Sequence, residues 1–281
     1  MSYFLKKLSL LLRKNFFALL WHYRHLEVMQ ESYVLDLLSQ DRYREPLRLN
    51  RCENQCFSQH GQDGIIAEIF RRIGTVDKTF VEIGAGDGLE NNTTYLLTKG
   101  WDGFWLDGSQ SNIRRIERTF SSLIRSRRLK VQPAFITREN VAELLKDLQV
   151  PSTFDFLSVD IDRNTYYLLE SLASYRPRVA VVEYNSSYLP GDEWVVDYQA
   201  EKVWNSTNYI GASLKSLELL MDRLGYHLVG CETIGVDAFF VRKDLTKDLF
   251  CEPFTAENHY EPPRFFLIRK QGHPSCFSDE T

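Results

Sequence analysis

From about Ser58 to Arg242 the chain switches repeatedly between two hydrophobic patterns. One spaces apolar residues along a single helical face, and the other packs β-branched and aromatic residues into short runs. The spacing predicts helices over 62–73, 92–99, 110–125, 139–148, 165–173 and 213–224. The runs predict strands over 79–83 (TFVEI), 103–106, 130–136, 154–159 (FDFLSV), 178–183 (RVAVVE), 226–231 (YHLVGC) and 237–242 (DAFFVR). The 178–183 run hardly alternates, as expected of a strand covered on both faces. Strand–helix alternation at this spacing implies a parallel sheet with helices on both sides.

The end of the pattern is different. Only Glu232 to Val236 separates the last two runs. So short a link cannot make a parallel crossover and suits a hairpin, which sets the final strand against the others. The expected architecture is an α/β, Rossmann-like sheet of seven strands, mostly parallel with the last antiparallel. Residues 1–50 read as a helical extension, 51–245 as the main domain and 246–281 as a tail. Within the domain, 184–213 (YNSSYLPGDEWVVDYQAEKVWNSTNYIGAS) is a long polar and aromatic connection beyond the carboxyl end of a strand. Open parallel sheets bind ligands at that edge, so this insert is a candidate lid.

Composition changes this picture little. The 281 residues are 43% hydrophobic and 26% charged, an ordinary globular balance. A net charge of -4 gives no support for a nucleic-acid partner. The cysteines are Cys52, Cys56, Cys231, Cys251 and Cys276, an odd and scattered set that fits reduced thiols in the cytoplasm. The first 25 residues carry Lys6, Lys7, Arg13, Lys14 and Arg24 and no acid, with Leu5, Leu8, Leu12, Phe16, Leu19 and Tyr23 at helical spacing. No uncharged apolar run there is long enough to span a bilayer. Two readings stay open: a helix that packs on the domain or on a second subunit, or a basic amphipathic helix lying peripherally on an anionic membrane.

The candidate chemistry centres on FVEIGAGDG, a strand running into a glycine loop with Glu82, Gly84 and Gly86. The spacing is G-x-G-x-G, whereas a pyrophosphate site wants G-x-G-x-x-G opening into a helix. A carboxylate at Glu82 suits the cationic end of an amino acid and repels a diphosphate. Asp107, closing the next strand, can accept both hydroxyls of a ribose. Asn92 and Thr93 read as helix caps, Asp63 as a first-turn acid and His227 as a packed strand residue.

FVEIGAGDG and WLDGSQ together resemble the first two motifs of class I S-adenosylmethionine-dependent methyltransferases. FSQHGQDGIIAEIF, FDFLSVDIDRNTYYLLESL and VVEYNSS are similar to FkbM-type methyltransferases, over roughly Phe57 to Arg242. The resemblance implies that Glu82, Gly84 and Gly86 face the methionine portion, and that Asp107 holds the ribose with Gly108 and Ser109 beside it. It places Ala134 and Phe135 along the adenine, and Gln59 and Gln62, in the entry helix, over the amino-acid end. Arg163 departs from the family pattern, which carries glycine there.

Methyl transfer requires alignment of a nucleophile and removal of its proton. Asp160 and Asp162 follow one strand, Glu183 and Asn185 the next, and their side chains are expected to converge. Asp160, Glu183 and Asn185 would, by analogy with catechol-type O-methyltransferases, hold Mg²⁺ or another divalent cation. Without a metal, Asp160 or Asp162 would be the base, and His60 is a further candidate. The family implies O-methylation of a sugar or glycosylated metabolite, and the insert's Tyr188, Trp194, Tyr198, Trp204 and Tyr209 suit stacking on a sugar. An NAD-dependent dehydrogenase and an inactive nucleoside-binding module are the alternatives.

Overall fold

The computed structural model describes Trp21, residues 24–267 and residues 276–277. The chain divides into two units, Met1–Glu45 and Pro46–Thr281. In the first, residues 24–39 and Asp41–Arg44 are helical. The proposed basic helix of residues 1–25 lies almost wholly outside the described residues. Among the described residues no helix is long and apolar enough to cross a membrane.

The second unit is built on seven strands: β1 (Thr79–Ile83), β2 (Asp102–Asp107), β3 (Leu129–Pro133), β4 (Thr153–Val159), β5 (Arg176–Glu183), β6 (Tyr226–Cys231) and β7 (Asp237–Arg242). Their order is β3-β2-β1-β4-β5-β7-β6. β7 runs antiparallel to both β5 and β6, and the pairs among β1 to β5 are parallel. This is the Rossmann-like class I methyltransferase fold, with the reversed strand made by the 232–236 hairpin.

Alternation along the strands divides the core. Val81, Ile83, Leu106, Ala180 and Val182 join one apolar cluster, and Phe80, Trp105, Val179 and Val181 join another. Neighbouring residues go to opposite clusters because successive side chains leave a strand on opposite faces. The sheet is therefore dry on both sides, and its polar residues collect at its two edges.

At the amino edge, Asp155 of β4 is fully buried and organises the entry to β1. Its carboxylate accepts hydrogen bonds from the backbone N–H of Val76, Asp77 and Lys78, and from Arg178 Nη1 at 2.8 Å. Burial pushes its pKa up, but the Arg178 and backbone donors outweigh it, so the net shift is downward.

Several predicted elements differ in extent. The 110–125 helix is two helices, Gln110–Thr119 and Ser121–Arg125, because Phe120 turns inward to meet Trp105 edge-on at 4.8 Å. The 92–99 helix starts only at Thr94, for a reason given below. β3 ends at Pro133, so Ala134 and Phe135 lie beyond it. Residues 246–267 pack on the domain: Phe250, Ala256 and Leu267 are buried, and Tyr184 Oη donates to the Glu261 carbonyl at 2.6 Å.

Removing the Asp155 carboxylate strands Arg178 and three backbone donors in the interior. Asp155→Ala is therefore expected to lower stability by about 3–5 kcal/mol in urea titration. Because the folded pKa is depressed, the carboxylate's contribution is full above the unfolded pKa and fades as pH falls through the folded one. The difference between wild type and Asp155→Ala should shrink accordingly in acid.

Candidate functional site at the carboxyl edge

Glu82 is the penultimate residue of β1 and is 2% exposed. It accepts from Asn91 Nδ2 at 2.7 Å, from Asn92 N at 2.9 Å and from Thr93 Oγ1 at 2.5 Å. Thr93 Oγ1 in turn accepts from Trp105 Nε1, and Asn92 Nδ2 donates to Ser158 Oγ. Asn92 and Thr93 thus clasp Glu82 rather than cap their helix, which corrects the sequence expectation and delays the helix to Thr94. Burial raises the Glu82 pKa to about 7 against the pull of these donors.

Two glycines of the loop have different reasons. At Gly84 (φ +90°) a Cβ would lie 1.7 Å from the Asp160 carbonyl oxygen, so glycine is there to let β1 and β4 meet. At Gly86 (φ +60°) a Cβ would meet nothing within 4 Å. Gly86 is the open part of the cradle. Its N–H donates to Asp107 Oδ2 at 2.9 Å. Asp107 Oδ1 accepts from Ser109 N at 2.7 Å and Asn112 Nδ2 at 3.2 Å. Glu82 and Asp107 therefore brace the same loop from its two sides.

Two cavities, of about 380 and 400 Å³, share Gly84 and Asp160 on their walls. The first is walled by Gln59, Gln62, Glu82, Gly86, Asn91 and Asp237 among others, and the second by Asp107, Gly108, Ser109, Phe135, Ile136 and Asp162 among others. Among the described residues, Glu82, Asp87, Glu90, Asp160 and Asp237 are the charged residues of the first, and no lysine, arginine or histidine lines it.

Carboxylate oxygens of Asp160, Asp162 and Glu183 lie within 4.8 Å of one another. Asp160 and Asp162 reach solvent, yet both sit in a recess walled by protein. Asp237 joins this group because β7 begins where β5 ends, with Asp237 opposite Glu183 in the register. Gln62 Nε2 donates to Asp237 Oδ2 at 2.7 Å, and Glu232 accepts from Val236 N and Asp237 N to close the hairpin. Burial and then mutual repulsion push these acids up: Asp160 to about 8, and Glu183 and Glu232 well above the usual range. Burial also raises Asp162 and Asp237. Crowded carboxyls of this kind share protons near neutrality.

Some expected residues stand apart. Gln59 lines the first cavity but precedes the helix Gln62–Ile73. His60 is half-buried, with its pKa lowered by burial, and lines neither cavity. Asn185 is oriented by the insert: its Nδ2 donates to the Asn208 and Ile210 carbonyls and its Oδ1 accepts from Ser187 N. Ala134 contributes backbone only, its N–H donating to the Asp107 carbonyl. Asp63 gathers the N–H groups of Cys56, Phe57 and Ser58 on one oxygen and so shapes the turn before Gln59.

The insert is tied down at both ends. Asn185 N donates to the Ala212 carbonyl and Val196 N to the Gly211 carbonyl. Arg163, 3% exposed, reaches the Asp197 and Tyr209 carbonyls, while Asp162 before it takes the left-handed conformation (φ +58°). Several of its aromatics pack on one another: Tyr188 stacks on Trp194 at 4.4 Å, and Trp194 meets Tyr209 edge-on. Trp204 stays half-exposed.

No protein-family model matches the sequence, and no curated protein matches it. Solved structures share the fold remotely. An S-adenosylmethionine-dependent methyltransferase from Clostridium acetobutylicum is 13% identical, with 63% of this chain and 89% of that one covered and a TM-score of 0.41. A precorrin-6y C5,15-methyltransferase from Geobacter metallireducens is 14% identical, with 64% and 87% covered and a TM-score of 0.40. A glycopeptide N-methyltransferase, MtfA, is 13% identical, with 65% and 94% covered and a TM-score of 0.40. At this distance the functional reading rests on the site itself.

Gly84→Ala is expected to lower the melting temperature further than Gly86→Ala. Both bear the cost of positive φ, but only the first drives a methyl into backbone. The acids give a second expectation. Their folded pKa values lie above unfolded ones, so the native state binds extra protons and stability falls as pH rises through that interval. The melting temperature should drop between about pH 4 and about pH 8, and Asp160→Asn should flatten the drop.

Proposed function

We propose that this protein is an S-adenosylmethionine-dependent methyltransferase that methylates a hydroxyl of a sugar or glycosylated metabolite. The observation that carries the reading is the pair of cavities meeting at Gly84 and Asp160, one wholly acidic in its charged lining and the other edged by Asp107. The donor set fits the cofactor. The acidic cavity suits an ammonium and a sulfonium, and would repel the diphosphate of a dinucleotide. The open space at Gly86 leaves a cradle for a ligand against the main chain. Asp107 Oδ2 keeps one lone pair beyond the three hydrogen bonds the carboxylate accepts, free for a ribose hydroxyl.

S-adenosylmethionine supplies an activated methyl whose leaving group needs no acid. The chain's own task is to orient the acceptor and take its proton. Asp160 stands at the junction of the cavities with a pKa raised to about 8, matched to general-base work near neutrality. Asp162 and Glu183 beside it can accept hydrogen bonds from neighbouring sugar hydroxyls. The same three carboxyls are a hard, oxygen-only set that fits Mg²⁺ or a similar ion. Such an ion would acidify the acceptor hydroxyl. Trp204, exposed on the insert, offers a face to a sugar ring.

Calorimetry on the full chain should detect S-adenosylhomocysteine and no NADH, and Asp107→Ala should weaken the former about 10- to 100-fold. In a methylation assay with glycosylated acceptors, Asp160→Asn should cost about 10²- to 10⁴-fold in turnover. Activity lost in EDTA and restored by Mg²⁺ would assign a metal to the acids, and activity surviving EDTA would leave proton removal to Asp160 alone. Binding of NADH in place of the sulfonium nucleoside would sink the proposal.

A further inference from the structure

Of the three neighbouring acids Asp160, Asp162 and Glu183, only Asp162 has a backbone conformation that L residues avoid. Its φ is +58°, and Arg163 N donates across it to the Ile161 carbonyl at 2.6 Å. A three-residue turn with its middle residue at positive φ is the rare and strained kind. Two residues earlier the chain is tied to β1, because Asp160 N donates to the Ile83 carbonyl at 2.9 Å. The turn thus folds Asp162 back on a fixed stem, and its carboxylate meets those of Asp160 and Glu183.

A strained turn persists only where its surroundings hold it, and the next residue supplies the hold. Arg163 is buried, and a buried guanidinium ordinarily takes a carboxylate. This one donates from Nη1 to the Tyr209 carbonyl at 3.2 Å and from Nη2 to the Asp197 carbonyl at 3.3 Å, and its Nε has no hydrogen-bond partner. Two long bonds to neutral acceptors and one orphaned donor are a poor source of stability. They make a clasp instead. Tyr209 Oη donates to Asp197 Oδ2 at 2.9 Å, and Val195 bridges Ala212, so the two acceptors lie on stretches of the insert that are paired with each other. Gly211, between them and that bridge, closes on the turn: a Cβ there would lie 3.7 Å from the Asp162 carbonyl oxygen. Arg163 is also the residue at which this chain departs from the pattern it otherwise resembles.

Resting on the methyltransferase reading, we propose that Arg163 is a positioning residue for the transfer: by clasping the insert at Asp197 and Tyr209 it holds Asp162 in its strained turn, so the three acids come together only while the insert is seated. The insert then acts on the chemistry through the backbone of Asp162. Glu82 and Asp107 stand on β1 and β2, braced by their own hydrogen bonds, and do not depend on the clasp.

Two measurements test this. The first needs no ligand and compares Asp162→Gly with Asp162→Ala, which lose the same charge. Asp162→Gly should melt about 2–4 °C higher, because alanine bears the cost of positive φ. With Arg163→Met added to each, the turn relaxes and the gap should close. Equal melting of the two single variants overturns the proposal and requires no change at Arg163. A gap that persists undiminished beside Arg163→Met overturns it as well. The second measurement separates positioning from general structure. In the assay with glycosylated acceptors, Arg163→Met should lower kcat about 100-fold, while calorimetry finds its affinity for S-adenosylhomocysteine unchanged. An unchanged kcat, or a loss of that affinity in the variant, overturns the positioning role and leaves the methyltransferase reading intact. Failure of wild type to bind S-adenosylhomocysteine overturns both.

Discussion

The close approach of Gly84 to the Asp160 carbonyl governs this structure. A parallel sheet sets β1 and β4 side by side, but their following loops would normally splay. Here the missing Cβ at Gly84 lets one backbone sit almost on the other. The contact turns two separate loop ends into the shared wall of two cavities. Glu82 then locks the far end of the glycine loop through Asn91, Asn92 and Thr93, and Asp107 locks its middle through Gly86 N. The cradle is held by these hydrogen bonds.

Charge is distributed by the same logic. At the amino edge, Asp155 and Arg178 neutralise each other and serve stability. At the carboxyl edge, Glu82, Asp160, Glu183 and Asp237 gather, and their raised pKa values record the cost. A fold tolerates such a group when a cationic ligand, a metal or shared protons relieve it. Stability and chemistry therefore occupy opposite ends of one set of strands.

Much of this was legible in the chain because it depends on short-range pattern. Period and run length define the strands, and the brevity of 232–236 reveals the reversal of β7. The glycine spacing with Glu82 and Asp107 points to the edge that holds the cavities. What the pattern could not carry is partner choice at long range. Asn92 and Thr93 look like caps until Glu82, ten and eleven residues earlier, claims them. Asn185 could be placed beside the acids, but not its hold on the insert through the Asn208 and Ile210 carbonyls. Asp237 was within reach, since a strand antiparallel to the rest must start at their carboxyl edge, but only its pairing with β5 sets it opposite Glu183.

That reversal has a mechanical consequence. Asp160 and Asp162 stand just beyond the end of β4, and Asn185 just beyond the end of β5, where the chain leaves the sheet. Asp237 stands at a beginning, with Ala238 to Val241 fully buried directly behind it. It is the stationary post of the pocket. Rearrangements on ligand entry should be measured as displacements of the other acids about Asp237, whose own position the sheet holds still.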